Sequence, residues 1–85
     1  MATILVIEDD LVFRDLLRLH LRQSGHAVRI AKDPAEGLRS LLEIPPDLIL
    51  LDLDLPYMNG IEVLEALRSD PASQKIPVII VTGNA

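Results

Sequence analysis

Four consecutive aliphatic residues, Leu48–Leu51, run without a break into Asp52, and a second aspartate, Asp54, follows two positions on. Pro56 and Gly60 then punctuate a loop. An unbroken apolar run of this length reads as a strand buried on both faces, as in parallel sheets. In open α/β sheets the carboxyl ends of such strands are where ligands bind. A chain built around this stretch must therefore supply helices for both faces of a sheet.

The remaining sequence does so. Ile4–Ile7 is a second short apolar run, and it ends in Glu8-Asp9-Asp10. Helical period follows from Leu11 to Gln23, with Val12, Leu16 and Leu19 on one stripe and Phe13, Leu17 and Leu21 beside it. Asp10 is the expected N-cap and Ser24-Gly25 the expected stop. Ala27–Ala31 alternates Val28 and Ile30 with Arg29 and reads as an edge strand. Asp33-Pro34-Ala35-Glu36 starts a helix running to about Glu43, where Pro45-Pro46 ends it. A third helix is expected from Gly60 or Ile61 to Ser69, with Ile61, Leu64 and Leu67 as its buried stripe. Pro77–Thr82 is a fourth strand. The order β-α-β-α-β-α-β with short connections predicts a parallel sheet with right-handed crossovers.

An 85-residue chain holds one small domain. At 49% hydrophobic but only 2% aromatic, its core must be aliphatic. The net charge of −5, without a basic stripe, argues against direct contact with nucleic acid or an anionic membrane. No cysteine is present, which excludes disulfides, thiolate metal sites and a cysteine nucleophile. The N-terminal apolar run is too short for a signal peptide or a membrane span, so a cytoplasmic location is expected.

In a parallel sheet the strands all point one way, so Glu8, Asp9, Asp52 and Thr82 fall on one edge. The topology reverses between strands one and three, which places Glu8, Asp9 and Asp52 in one crevice. Three carboxylates there repel one another and call for a counter-charge. All-oxygen ligands in an open, wet setting suit Mg2+ better than zinc. The alternative is a set of acidic caps and strand-end loops, the reading preferred for Asp10. The Arg14, Arg18 and Arg22 series reads as a solvated helix face, and His20 and His26 as solvated or half-packed side chains.

Taken in order, Ile4-Leu5-Val6-Ile7-Glu8-Asp9-Asp10, Leu50-Leu51-Asp52-Leu53-Asp54-Leu55-Pro56 with Gly60, and Val81-Thr82-Gly83 resemble the receiver domain of two-component response regulators. The resemblance implies a flavodoxin-like parallel sheet, here shortened to (βα)3β with strand order 2-1-3-4. It implies that Asp52 accepts a phosphoryl group from a sensor histidine kinase, a phosphotransfer protein or a small acyl phosphate. Glu8, Asp9 and Asp52 with the backbone carbonyl of Asp54 would hold Mg2+. Thr82 and Gly83 would bind the phosphoryl group, and Pro56 and Gly60 would shape the loop. Such a domain is a signalling module and not an enzyme, beyond its own phosphorylation and dephosphorylation.

The sequence departs from that pattern after the fourth strand, where a full receiver continues and carries a lysine that pairs with the phosphoryl group. No residue of this sequence takes that place; Lys75 precedes the fourth strand, at the opposite edge. The expectation is one truncated receiver domain over residues 1–85. The fourth strand, Val78–Val81, would then be a bare apolar edge, and part of the first helix, including Leu17 or Leu21, would be uncovered. A homodimer through that strand and the open helix faces is expected. Two other readings are a receiver-like assembly module that is never phosphorylated and a haloacid-dehalogenase-type phosphohydrolase. The second takes Asp52 and Asp54 as nucleophile and acid/base, but leaves Glu8 and Asp9 without a role.

Overall fold

The computed structural model describes residues 1–52 and 59–81. Its elements are β1 (Thr3–Ile7), α1 (Leu11–Gln23), β2 (Ala27–Ala31), α2 (Pro34–Glu43), β3 (Leu48–Asp52), α3 (Gly60–Ser69) and β4 (Val78–Val81). The strands form one parallel sheet in the order β2-β1-β3-β4. Register pairs Ile7 with both Ala31 and Leu51, so the carboxyl ends of β1, β2 and β3 lie level.

The helix ends are set by short-range chemistry. The Asp10 side chain accepts from the N–H groups of Val12 and Phe13, and Asp33 accepts from Glu36. At the other end of α1, Gly25 has φ +88°, the left-handed conformation that favours glycine. Its N–H donates to the Arg22 carbonyl and that of His26 to Leu21, which closes the helix in a Schellman turn.

The chain moves one way across the sheet from β1 to β2, then back past β1 to β3 and on to β4. Right-handed crossovers therefore put α1 on one face and α2 and α3 on the other. The core divides accordingly. Leu5, Ile7, Ile49 and Leu51 pack with Leu41 of α2 and with Val63 and Leu67 of α3. Ile4, Val6 and Leu50 face the other way, where Leu17 and Leu21 of α1 partly cover them.

Three expectations about side chains are corrected. On α3 the buried residues are Gly60, Val63 and Leu67, while Ile61 is exposed. On α1 the expectation that Leu17 or Leu21 would be uncovered fails: both pack partly against the sheet, and Val12, Leu16 and Leu19 are the residues left outward. Arg29 does not simply alternate outward from β2. Its guanidinium donates to the Ser40 carbonyl and hydroxyl and to the Ile44 carbonyl, tying the C-terminal end of α2 to the edge strand.

Candidate acidic metal and phosphoryl site

β1 and β3 are neighbours, and an acidic residue stands at the carboxyl end of each, at about the same level of the sheet. Glu8 follows the last residue of β1, and its N–H donates to the Ala31 carbonyl at 3.0 Å. That bond extends the β1–β2 ladder by one residue and holds Glu8 against the sheet. Asp52 is the last residue of β3. Asp9 lies between the strand end and the Asp10 cap of α1. The result is that one carboxylate oxygen from each of Glu8, Asp9 and Asp52 lies within 4.8 Å of the others.

Burial makes this crowding consequential. Glu8 is only 2% exposed and Asp52 only 6%. Glu8 Oε1 accepts from the Asp10 N–H at 3.0 Å, whereas its Oε2 is buried without a hydrogen-bond partner among the described residues. Burial chiefly, then the charge of Asp52, a hydrogen bond shared with the Asp52 side chain and the charge of Asp9, pushes the Glu8 carboxyl from 4.5 up to about 7. The Asp10 N–H works in the opposite direction.

This arrangement fits a hard divalent cation. The donors are all carboxylate oxygens, they converge, and a buried oxygen of Glu8 has an acceptor lone pair to spare. A cation bound there would offset both the desolvation of Glu8 and the repulsion among the three carboxylates.

Gly60 opens α3 behind the Asn59 cap, whose side chain accepts from Ile61 N–H. Asp54, Pro56, Thr82 and Gly83 lie outside the described residues. Beside the cluster is an open cavity of about 660 Å³ lined by Asp9, Leu11, Arg14, Lys32 and Asp33. The sequence reading placed Arg14 on a solvated face. Its position relative to Lys32 depends on the pairing of β1 with β2, which no local pattern encodes.

A family model for the response regulator receiver domain matches residues 4–85. The DNA-binding dual master transcriptional regulator RpaA of Synechocystis is 39% identical over 82 residues, which are 96% of this chain and 34% of that protein. The chain thus spans about a third of the length of such a relative. Among solved structures, the N-terminal domain of a response regulator receiver protein from Methanoculleus marisnigri is 38% identical with a TM-score of 0.90, over 94% of this chain and 65% of that one. The Mn2+-bound form of response regulator Rcp1 is 32% identical with a TM-score of 0.85, over 96% and 66%.

Proposed function

Because the chain belongs to the response regulator receiver family, we propose that it accepts a phosphoryl group on Asp52 with Mg2+ bound beside it. The observation that carries this reading is the convergence of Glu8, Asp9 and Asp52, one of them with a buried, unpartnered oxygen. Glu8, Asp9 and Asp52 hold the cation, together with the Asp54 carbonyl. Thr82 and Gly83 bind the phosphoryl oxygens, while Pro56 and Gly60 shape the intervening loop. When bound, the cation neutralises charge on the phosphoryl oxygens and on the acceptor.

The chemistry required of the chain itself is then modest. Asp52, held at the end of β3, attacks phosphorus with a carboxylate oxygen. The bond from phosphorus to the donor breaks, and its electron pair leaves with the donor group. Glu8 and Asp9 are positioning residues in this scheme. The donor is the phosphohistidine of a sensor kinase or phosphotransfer protein, or a small acyl phosphate.

The chain's role is signalling and not turnover of a free substrate. The haloacid-dehalogenase reading loses its footing with the family assignment. Among the described residues no helix is long and apolar enough to cross a membrane, in keeping with a cytoplasmic partner. The acidic balance of this segment leaves DNA contact to other parts of such regulators.

For assembly we take a second copy as the occupant of the β4 edge. Ile79 is 49% and Ile80 38% exposed, and they point to opposite faces of the strand. β4 pairs only with β3 among the described residues. A two-fold axis perpendicular to β4 sets it antiparallel to its mate and satisfies the edge backbone groups of both copies at once.

Incubation with acetyl phosphate and Mg2+, followed by intact-mass measurement, tests the central claim. A gain of one phosphoryl group that is absent in Asp52→Asn is expected. An equal gain in that variant would overturn the assignment, and so would no gain in the native chain.

A further inference from the structure

Asp10 caps α1, and its backbone also serves the acidic cluster. Glu8, Asp9 and Asp10 are the whole connection between β1 and α1, so it has little slack. The chain is pinned at both ends of it. On the strand side the Glu8 N–H donates to the Ala31 carbonyl at 3.0 Å. On the helix side Asp10 has φ −73° and ψ 114°, and its Oδ1 accepts from the Val12 N–H at 2.9 Å and the Phe13 N–H at 3.1 Å. Its carbonyl accepts from the Arg14 N–H at 2.9 Å, the first backbone bond of the helix.

These bonds leave the Asp10 N–H turned back toward β1, where it donates to Glu8 Oε1 at 3.0 Å. One oxygen of the buried carboxylate is thereby held, and Oε2 is the oxygen left for a cation. The Asp10 side chain keeps that N–H in place by holding the first turn of α1. Asp9 lies between the two pinned residues, so its carboxylate depends on the same support. The Asp10 side chain is itself exposed and is not one of the three converging carboxylates. Its reach into the cluster therefore runs through the backbone. Groups that orient metal ligands by hydrogen bonds commonly govern affinity nearly as strongly as the ligands do.

We propose that Asp10 is a positioning residue of the Mg2+ site: by capping α1 it fixes the backbone N–H that aims the Glu8 carboxylate and the strand-to-helix connection that carries Asp9. The proposal rests on the reading of Glu8, Asp9 and Asp52 as that site. It makes the first turn of α1 and the bound cation mutually stabilising, because coupling between two equilibria is reciprocal.

The test compares two neutral variants, Asp10→Asn and Asp10→Ala, by Mg2+ titration followed by NMR, after circular dichroism has shown both to be folded. Both lose the same charge, but asparagine keeps a capping oxygen and alanine does not. Asp10→Ala is expected to bind Mg2+ about tenfold more weakly than Asp10→Asn, the scale on which loss of a supporting bond weakens metal sites. Equal affinities would overturn the proposal: at the native level they would make Asp10 a cap and nothing more, and below it they would assign its effect to charge. A second measurement needs no variant. Mg2+ should slow hydrogen exchange at the Val12 and Phe13 amides of the native chain, and unchanged exchange in the saturated protein would also overturn the proposal. Exchange at the residue 10 amide in the presence of a chelator reads the hold on Glu8 without any metal, and it should be faster in Asp10→Ala than in Asp10→Asn. A native chain that took up no Mg2+ would sink the metal reading itself, while this last measurement would still uphold or refute the hold on Glu8.

Discussion

Replacing Glu8 by glutamine should make the metal-free protein more stable at neutral pH, while leaving its stability at low pH nearly unchanged. The carboxyl is almost fully buried, and its pKa in the folded chain is pushed from 4.5 up to about 7, chiefly by burial. Below about pH 4.5 both folded and unfolded chains hold the proton, so the group costs nothing. Between about 4.5 and 7 the unfolded chain releases a proton that the folded chain still binds, so stability falls as pH rises. Above about 7 the full cost is present. Each pKa unit corresponds to about 1.4 kcal/mol, which makes the cost about 3 kcal/mol. A domain of this size has a total stability on the order of 4–13 kcal/mol, so the effect is large. Glutamine keeps the shape and cannot ionise. The assay is urea unfolding followed by far-UV circular dichroism, since the chain has no tryptophan. It is run at about pH 5 and about pH 8 with a chelator and again with Mg2+, to bracket the titration. The native chain should lose stability toward the higher pH relative to Glu8→Gln. Mg2+ should restore it, because a ligand that binds only the folded state stabilises that state. A difference between the two proteins that stays constant across this range would refute the reasoning.

Mg2+ should bind in the millimolar range or somewhat tighter, about what a site with few protein ligands provides, and Asp9→Asn should weaken it in a calorimetric titration. Unchanged affinity would dissociate Asp9 from the site. Gly37→Ala should destabilise the fold by about 1 kcal/mol, measured by urea unfolding. The new methyl would meet Ile7 Cδ1 at 2.8 Å, an overpacking cost that exceeds the gain in helix propensity. Sedimentation at micromolar concentration should show a dimer that Ile79→Lys dissociates without unfolding the chain. A native monomer at all concentrations would remove the β4 interface. Phosphorylation by acetyl phosphate should fall steeply in Asp9→Asn as well as in Asp52→Asn, while the circular dichroism of both remains native.

Sequence alone determined the order of elements and most of their limits, because these depend on local chemistry. Asp10 and Asp33 cap their helices through bonds spanning two or three residues. Gly25 ends α1 by a conformation few other residues adopt. The apolar runs ending in Glu8 and Asp52, combined with the rules of parallel crossover, sufficed to bring Glu8, Asp9 and Asp52 together. Which side of a helix meets the sheet was a different kind of question. On α1 and α3 the apolar residues are spread widely enough that two stripes are available, and periodicity ranks neither. Packing chose Leu17 and Leu21 over Val12, Leu16 and Leu19, and Val63 over Ile61. The same limit hid the tie from Arg29 to the end of α2 and the shared cavity of Arg14 and Lys32. The perturbed proton of Glu8 also belongs to the tertiary structure. Its pKa depends on desolvation and on charges that come together only when β3 lies beside β1, across more than forty residues of intervening chain.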